Sequence, residues 1–496
     1  MRLMSFFTGF FREEKKSRIL ALAALLCIII GVSCFLQFSY DKLQQDDYFH
    51  IRLAEMMRED GLIREFPWLS HSAYRENFAD NKLLYRLILI PFTFGDLILT
   101  GKLAAVLLLA VLGACFMIFL PKNDISYPLF WSLLLVFSSR TLLIRLLSVR
   151  PISLGILMLL VGTHLLLKEK YVWLTLLGYL FVLTYGTFIL FIVMTAVYVL
   201  SYLIYYGRLK PGPLLYSLAG TAGGIVINPY FPKNIKLLVT AFLRGSVRRT
   251  GLEPNLEWLP PISWNFFMDV WPVLLVLAAI LLLTLKKREK LGFAPFFLFF
   301  QSAVFLGLYF RVFRGIDQFV PFALLFAAFA FSELKIRIPR PARYLLFILP
   351  LVLLCINGYA VYRSFQQVEM IDNRGSALWL KENTPEKSLV FVSNYGAFPQ
   401  LFFYNTHNVY TSGLDPNLMK EYDERLYSLF EDVIWLRKNP HTVIGDEFGA
   451  RWVHVEKIGK NMRLYEHLSG NPYVYRKMYE DDFSAIFLLR ERKDVN

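Results

Sequence analysis

Gln45-Asp46-Asp47-Tyr48-Phe49-His50-Ile51-Arg52-Leu53-Ala54-Glu55 follows closely on the first long apolar run of the chain, residues 19–40. Two adjacent carboxylates thus stand where the chain leaves a membrane. If Asp46 opens a helix, Asp46 and His50 lie one turn apart, and Asp47 and His50 three residues apart, on one face. Acid pairs at a membrane surface hold a divalent cation or act as a general base. An acidic first turn also caps an ordinary surface helix. The stretch alone leaves both readings open.

The surrounding composition sets the fold class. Of 496 residues, 56% are hydrophobic, and the mean hydropathy is +0.45. That is too apolar for a soluble domain and fits a polytopic membrane protein, so a lipid membrane is its first partner. The net charge of +14 does not call for nucleic acid, because basic cytoplasmic loops account for much of it. Cys27, Cys34, Cys115 and Cys355 all lie inside apolar runs, without disulfide or metal-type spacing. Residues 19–40 are long enough to span and lack a small-residue cleavage site, so they read as a retained helix.

Charge then sets the expected topology. The leader carries Arg2, Arg12, Lys15, Lys16 and Arg18, which places it in the cytoplasm. Later basic groups at Lys122, at Lys168 and Lys170, at Arg208 and Lys210, at Lys286-Lys287-Arg288, and at Lys335, Arg337, Arg340 and Arg343 fall on the same side each time. Length and charge together give about eleven transmembrane helices, with one turn near Tyr185-Gly186. The expected fold is mainly α. Residues 1–362 form the transmembrane part, with outer loops 41–102 and 233–269. Residues 363–496 form a small α/β domain on the outer face. Within it, 388–393 and 452–455 read as strands, and 418–436 as one helix capped by Asn417.

Several arginines break the positive-inside pattern. Arg140, Arg145 and Arg150 fall in an outer turn, and Arg244, Arg248 and Arg249 in the second outer loop. Arg311 and Arg314 sit between two close spans. An anionic ligand would give such groups a partner, and a guanidinium fork suits phosphate. Snorkelling to the interface is the plainer account of any single arginine. On this reading Arg311, Arg314, Arg145 and Arg150 are the candidates for binding a phosphate. Glu253 and Glu257 share the outer side and would complete a site for Mg or Mn with Asp46. Ordinary loop carboxylates would look the same.

This layout resembles the C-type (GT-C) membrane glycosyltransferases, which use polyprenyl-phosphate-linked sugars. Asp46 to Leu53 is similar to the first-loop motif of the oligosaccharyltransferase catalytic subunit, where an Asp precedes an aromatic pair, a polar residue and an Arg. On that register Asp46 takes the place of the catalytic, metal-linked Asp, with Asp47 and His50 beside it. Phe78-Ala79-Asp80-Asn81-Lys82-Leu83-Leu84-Tyr85 resembles the Asp-Lys-containing end of the same loop. Residues 377–385 resemble the helix that enters the outer domain. Val392-Ser393-Asn394-Tyr395-Gly396 stands where an oligosaccharyltransferase has Trp-Trp-Asp-Tyr-Gly. Tyr395 and Gly396 match, and both tryptophans and the Asp are missing.

The resemblance implies transfer of a sugar or oligosaccharide from a polyprenyl-phosphate-linked donor to an unassigned acceptor on the outer face. A transporter or flippase of a lipid-linked or anionic substrate is the alternative. Carriers place ionisable groups within their spans, whereas here the spans are nearly uncharged and the ionisable groups gather at one outer edge. A bacterial inner membrane is the expected location, since no retention signal is visible. The topology is tested by a reporter active only in the cytoplasm, fused after Asn496. It should be silent, and a strong signal would overturn the odd number of crossings.

Overall fold

The computed structural model describes residues 15–245, 260–261, 263–336, 339, 344–367 and 371–490. The apolar runs are helical, as they must be where no water can satisfy the backbone. Helix α1 spans Lys15–Phe38. The loop after α1 folds into α2 (Gln45–Asp60), α3 (Ala73–Asn77) and α4 (Leu83–Leu89). Then come α5 (Leu97–Phe119), α6 (Pro128–Phe137), α7 (Arg140–Leu146), α8 (Ile152–Leu167), α9 (Val172–Thr184), α10 (Ile189–Tyr206) and α11 (Gly212–Val226). Helix α12 (Lys233–Gly245) opens the second outer loop, and α13 (Ser263–Lys287), α14 (Phe293–Arg311), α15 (Ile316–Glu333) and α16 (Leu345–Gln367) complete the bundle.

Every expected span carries a helix. Among the described residues, seven helices are long and apolar enough to cross a membrane: those containing α1, α5, α10, α13, α14, α15 and α16. Helices α6 and α7 form a further pair bent by 86°. The outer turn expected around Arg140 is therefore itself helical. Ser139 caps it, its hydroxyl accepting the Leu142 amide at 3.1 Å. Helix α5 starts earlier than the charges suggested, because Asp96 accepts the Leu99 amide at 2.8 Å and caps it there. Lys102 lies inside that helix, its ammonium bonded to the Tyr40 carbonyl.

The C-terminal domain is built on a five-stranded sheet of order β2-β1-β3-β5-β4. The strands are β1 (Leu389–Val392), β2 (Val409–Tyr410), β3 (Trp452–Glu456), β4 (Tyr475–Glu480) and β5 (Ser484–Leu489). Strand β1 runs parallel to β2 and β3, and the other pairs are antiparallel. Helices α17 (Arg374–Asn383), α18 (Phe398–Tyr404), α19 (Pro416–Tyr422), α20 (Glu424–Ile434) and α21 (Asn461–Ser469) cover it. The single helix expected over 418–436 is two helices. Asp415 caps the first, and Asp423 interrupts the run and caps the second through the amides of Arg425 and Leu426.

The first outer loop is fused to this domain. Leu69 pairs with Tyr410 in parallel, and the backbones of Trp68 and Ser70 both bond Tyr410. Phe49, Leu53, Phe66 and Phe78 of the loop share one apolar core with Val390, Phe398, Phe402 and Ile486. The opposite side of α2 packs into the bundle through Tyr48, Ile51 and Ala54 against Tyr85, Ala104 and Ala105.

Helices α9 and α11 approach closely because α11 presents glycines. A Cβ on Gly220 would lie 2.0 Å from the Thr175 carbonyl oxygen, and one on Gly224 2.9 Å from that of Tyr179. On Gly223 the nearest atom would be 4.0 Å away. Gly220→Ala should lower the melting temperature in detergent, costing about 1–3 kcal/mol as overpacking does. Gly223→Ala should leave it unchanged, and equal melting of the two variants would refute the contact.

Candidate active site

The site grows from the N-terminus of α2. Asp46 keeps 42% of its side chain exposed and bonds Arg150 at 2.9 Å. Arg150 follows the bent helix pair α6 and α7, so the bend brings the guanidinium back to the first loop. Asp47 points inward and is 2% exposed. Burial pushes its carboxyl up to about 7, against the pull of Arg150 and backbone hydrogen bonds from Val149 and Gln44. Its Oδ1 has no hydrogen-bond partner.

Below them lies a polar network. Asp80 Oδ1 accepts the Lys82 amide at 2.9 Å, and Arg86 Nε donates to Asp80 Oδ2 at 3.1 Å. Arg86 also donates through Nη1 to His50 Nδ1 and, at 3.2 Å, to the His50 carbonyl. Lys82 Nζ stands 3.3 Å from His50 Nε2. Arg86 and His50 are each 2% exposed. Burial is the largest cause, and the charges of Arg86 and Arg150 add to it, holding the imidazole well below its ordinary pKa, so it is neutral.

Two other segments face this region. Arg314, partly buried between α14 and α15, acts with Asp46 on the carboxyl of Asp415. Desolvation is the largest influence on Asp415 and raises it, although the residue reaches solvent. Lys82 is likewise accessible yet desolvated. From the outer domain, the Gly396 carbonyl accepts Gln45 Nε2 next to Asp46. A Cβ on Gly396 would lie 2.5 Å from that Nε2, so glycine permits the approach.

The structure thus brings Asp46, Asp47, His50, Arg150 and Arg314 into one neighbourhood. Arg145 is elsewhere engaged: it is buried and grips Asp317 with Nε at 2.6 Å and Nη2 at 2.8 Å. Arg311 is exposed at the end of α14. Glu253, Glu257, Arg248 and Arg249 lie outside the described residues. Among the described residues no three His, Cys, Asp or Glu side chains converge on a metal position. A half-exposed Asp46 already matched by Arg150, with Lys82 and Arg86 nearby, does not fit a dication on its own. Sequence reasoning gave no role to Lys82, Arg86 or Asp415. The charged break Asp80-Asn81-Lys82 ahead of an apolar run was the available signal for the first two.

Comparison with solved structures places this arrangement. The oligosaccharyltransferase of Archaeoglobus fulgidus, in its apo form, superposes with a TM-score of 0.64 over 95% of this chain and 74% of its own, at 10% identity. The chain has the GT-C glycosyltransferase fold. The same archaeal protein, AglB, in complex with an inhibitory peptide and a dolichol-phosphate gives a TM-score of 0.62 at 11% identity over the same shares. ArnT from Cupriavidus metallidurans, bound to undecaprenyl phosphate, gives 0.58 at 12% identity over 96% of this chain and 98% of its own. No family model and no curated protein matches the chain by sequence.

Asp47 gives a pH test. Its folded-state pKa lies above the ordinary carboxylate value, so its stabilising protonated form is complete below about pH 4 and lost as pH rises through about 7. Wild-type stability should therefore decline from pH 5 to 8 relative to Asp47→Asn. Parallel melting curves for the two proteins across that range would show that the carboxyl is not desolvated.

Proposed function

We propose that the protein is a GT-C-type glycosyltransferase. It transfers a sugar or oligosaccharide from a polyprenyl-phosphate-linked donor to an acceptor on the outer membrane face, in a bacterial inner membrane. The observation that carries this reading is Asp46, bonded to Arg150 and acting on Lys82, with Arg314 reaching the neighbouring Asp415. Polyprenyl phosphates occupy two solved proteins of the same fold, and Arg150, Arg314 and Lys82 offer the charges that such a ligand needs.

The chemistry asks for little more than position and charge. The bond from the anomeric carbon to the phosphate oxygen breaks, and the departing phosphate gains negative charge. Preorganised guanidinium groups stabilise that charge most where water is excluded. Arg150 and Arg314 take this role. Asp46 holds Arg150 in place and faces the positive charge that develops on the sugar ring. The Asn394-Tyr395-Gly396 turn is tied to Gln45, next to Asp46. Without the tryptophans and Asp of the oligosaccharyltransferase motif, that turn does not offer the same grip on a peptide, and the acceptor belongs to another class.

Mass spectrometry of lipid-linked sugars in cells lacking the protein should reveal one accumulated donor. With that donor, purified Asp46→Asn should turn over more slowly by a factor on the order of a hundred or more, while folding is retained. Arg314→Lys should lose less than Arg314→Ala, since it keeps the charge and loses only the fork. A well-folded Asp46→Asn protein with full activity would remove Asp46 from the reaction.

A further inference from the structure

The transfer leaves one proton unassigned, and the hydrogen bonds around His50 bear on it. A guanidinium can only donate. Arg86 donates to His50 Nδ1, so Nδ1 is the acceptor and the proton of the neutral ring sits on Nε2. That Nε2–H points at Lys82 Nζ, 3.3 Å away. An ammonium has three donors and no acceptor, so it would meet the Nε2–H donor to donor. Only a neutral amine, offering its lone pair, satisfies the contact.

We infer that Lys82 is held as a neutral amine and is the proton acceptor of the transfer. This rests on the transferase reading given above. The groups that act on Lys82 agree with it. His50 and Arg86 stand on one side, Arg150 adds a second guanidinium charge, and Asp46 and Asp80 oppose them. Desolvation and Arg86 prevail and bring the amine down to about 7. A base with that value is well matched to neutral pH. Asp46 is the poorer base, because Arg150 occupies it.

The step balances. The acceptor's oxygen or nitrogen forms a bond to the anomeric carbon as the carbon–oxygen bond to the phosphate breaks. The electron pair leaves with the phosphate. The acceptor's proton passes to Lys82 Nζ, which becomes an ammonium. Facing the Nε2–H of His50 and Arg86, that ammonium gives its proton up again to solvent, and the amine is restored.

Two measurements test this. The first needs no substrate. Wild-type protein in lipid nanodiscs is acylated briefly with acetic anhydride between pH 5 and 10, and each lysine is followed by mass spectrometry. Lys82 should label with a midpoint near 7, below the ordinary lysine value near 10. A Lys82 midpoint near 10 would overturn the inference. The second uses the donor that accumulates in cells lacking the protein. Lys82→Arg should keep binding of undecaprenyl phosphate within a few-fold and lose turnover by about a hundredfold or more. Lys82→His should recover part of it, and the wild-type rate should rise with pH through about 7. A simple phosphate anchor would give the opposite order, with Lys82→Arg active and Lys82→His weak, and that result would overturn the role. No turnover by wild-type protein would instead sink the transferase reading and this role with it, whatever the labelling shows.

Discussion

Helix α2 is packed on two sides, and the rest of the molecule is arranged around that constraint. One side of it packs Phe49 and Leu53 into the core shared with the outer sheet. The other packs Tyr48, Ile51 and Ala54 against α4 and α5. Yet the same helix carries Asp46, Asp47 and His50. Burying an ionisable group costs several kcal/mol unless it is paired, hydrogen-bonded or neutral. Each residue meets that demand differently. Asp46 stays half in water with Arg150, Asp47 rises towards protonation, and His50 is kept neutral beneath Arg86.

This arrangement explains why the outer domain and the bundle are tied together at so many points. The parallel bridge between Leu69 and Tyr410, the contact from Gln45 to Gly396, and the shared aromatic core all hold α2 against the sheet. Glu456 extends the tie inward. Its buried carboxyl accepts Asn373 at 2.7 Å and Asn394 at 2.5 Å. Asn394 in turn accepts the Gly396 amide at 3.0 Å. The turn beside Asp46 is thus fixed from the floor of the sheet, and a shift in the C-terminal domain would be felt at Asp46.

The sequence read well wherever one local rule acts alone. Uncharged runs such as 19–40 became helices because lipid leaves the backbone no other choice. Strands β1 and β3 fell where β-branched and aromatic residues alternate in short runs. It read less well where two signals compete. Residues 418–436 keep helical spacing throughout, but Asp423 prefers to cap and splits them. Lys102 looked like a boundary, yet its long stem lets the ammonium reach the Tyr40 carbonyl from within α5.

The acidic opening of α2, the helical bundle and the outer α/β domain were determined by the sequence itself, since hydropathy, charge and capping act over a few neighbouring residues. Which charges meet was decided only by the tertiary structure. Arg145 and Arg150 lie in one segment and look alike in the sequence. The fold gives the first to Asp317 and the second to Asp46. Lys82 and His50 are 32 positions apart, and nothing in either stretch foretells their contact. Pairing across such distances depends on how helices pack, and packing sums many contacts that no local pattern carries.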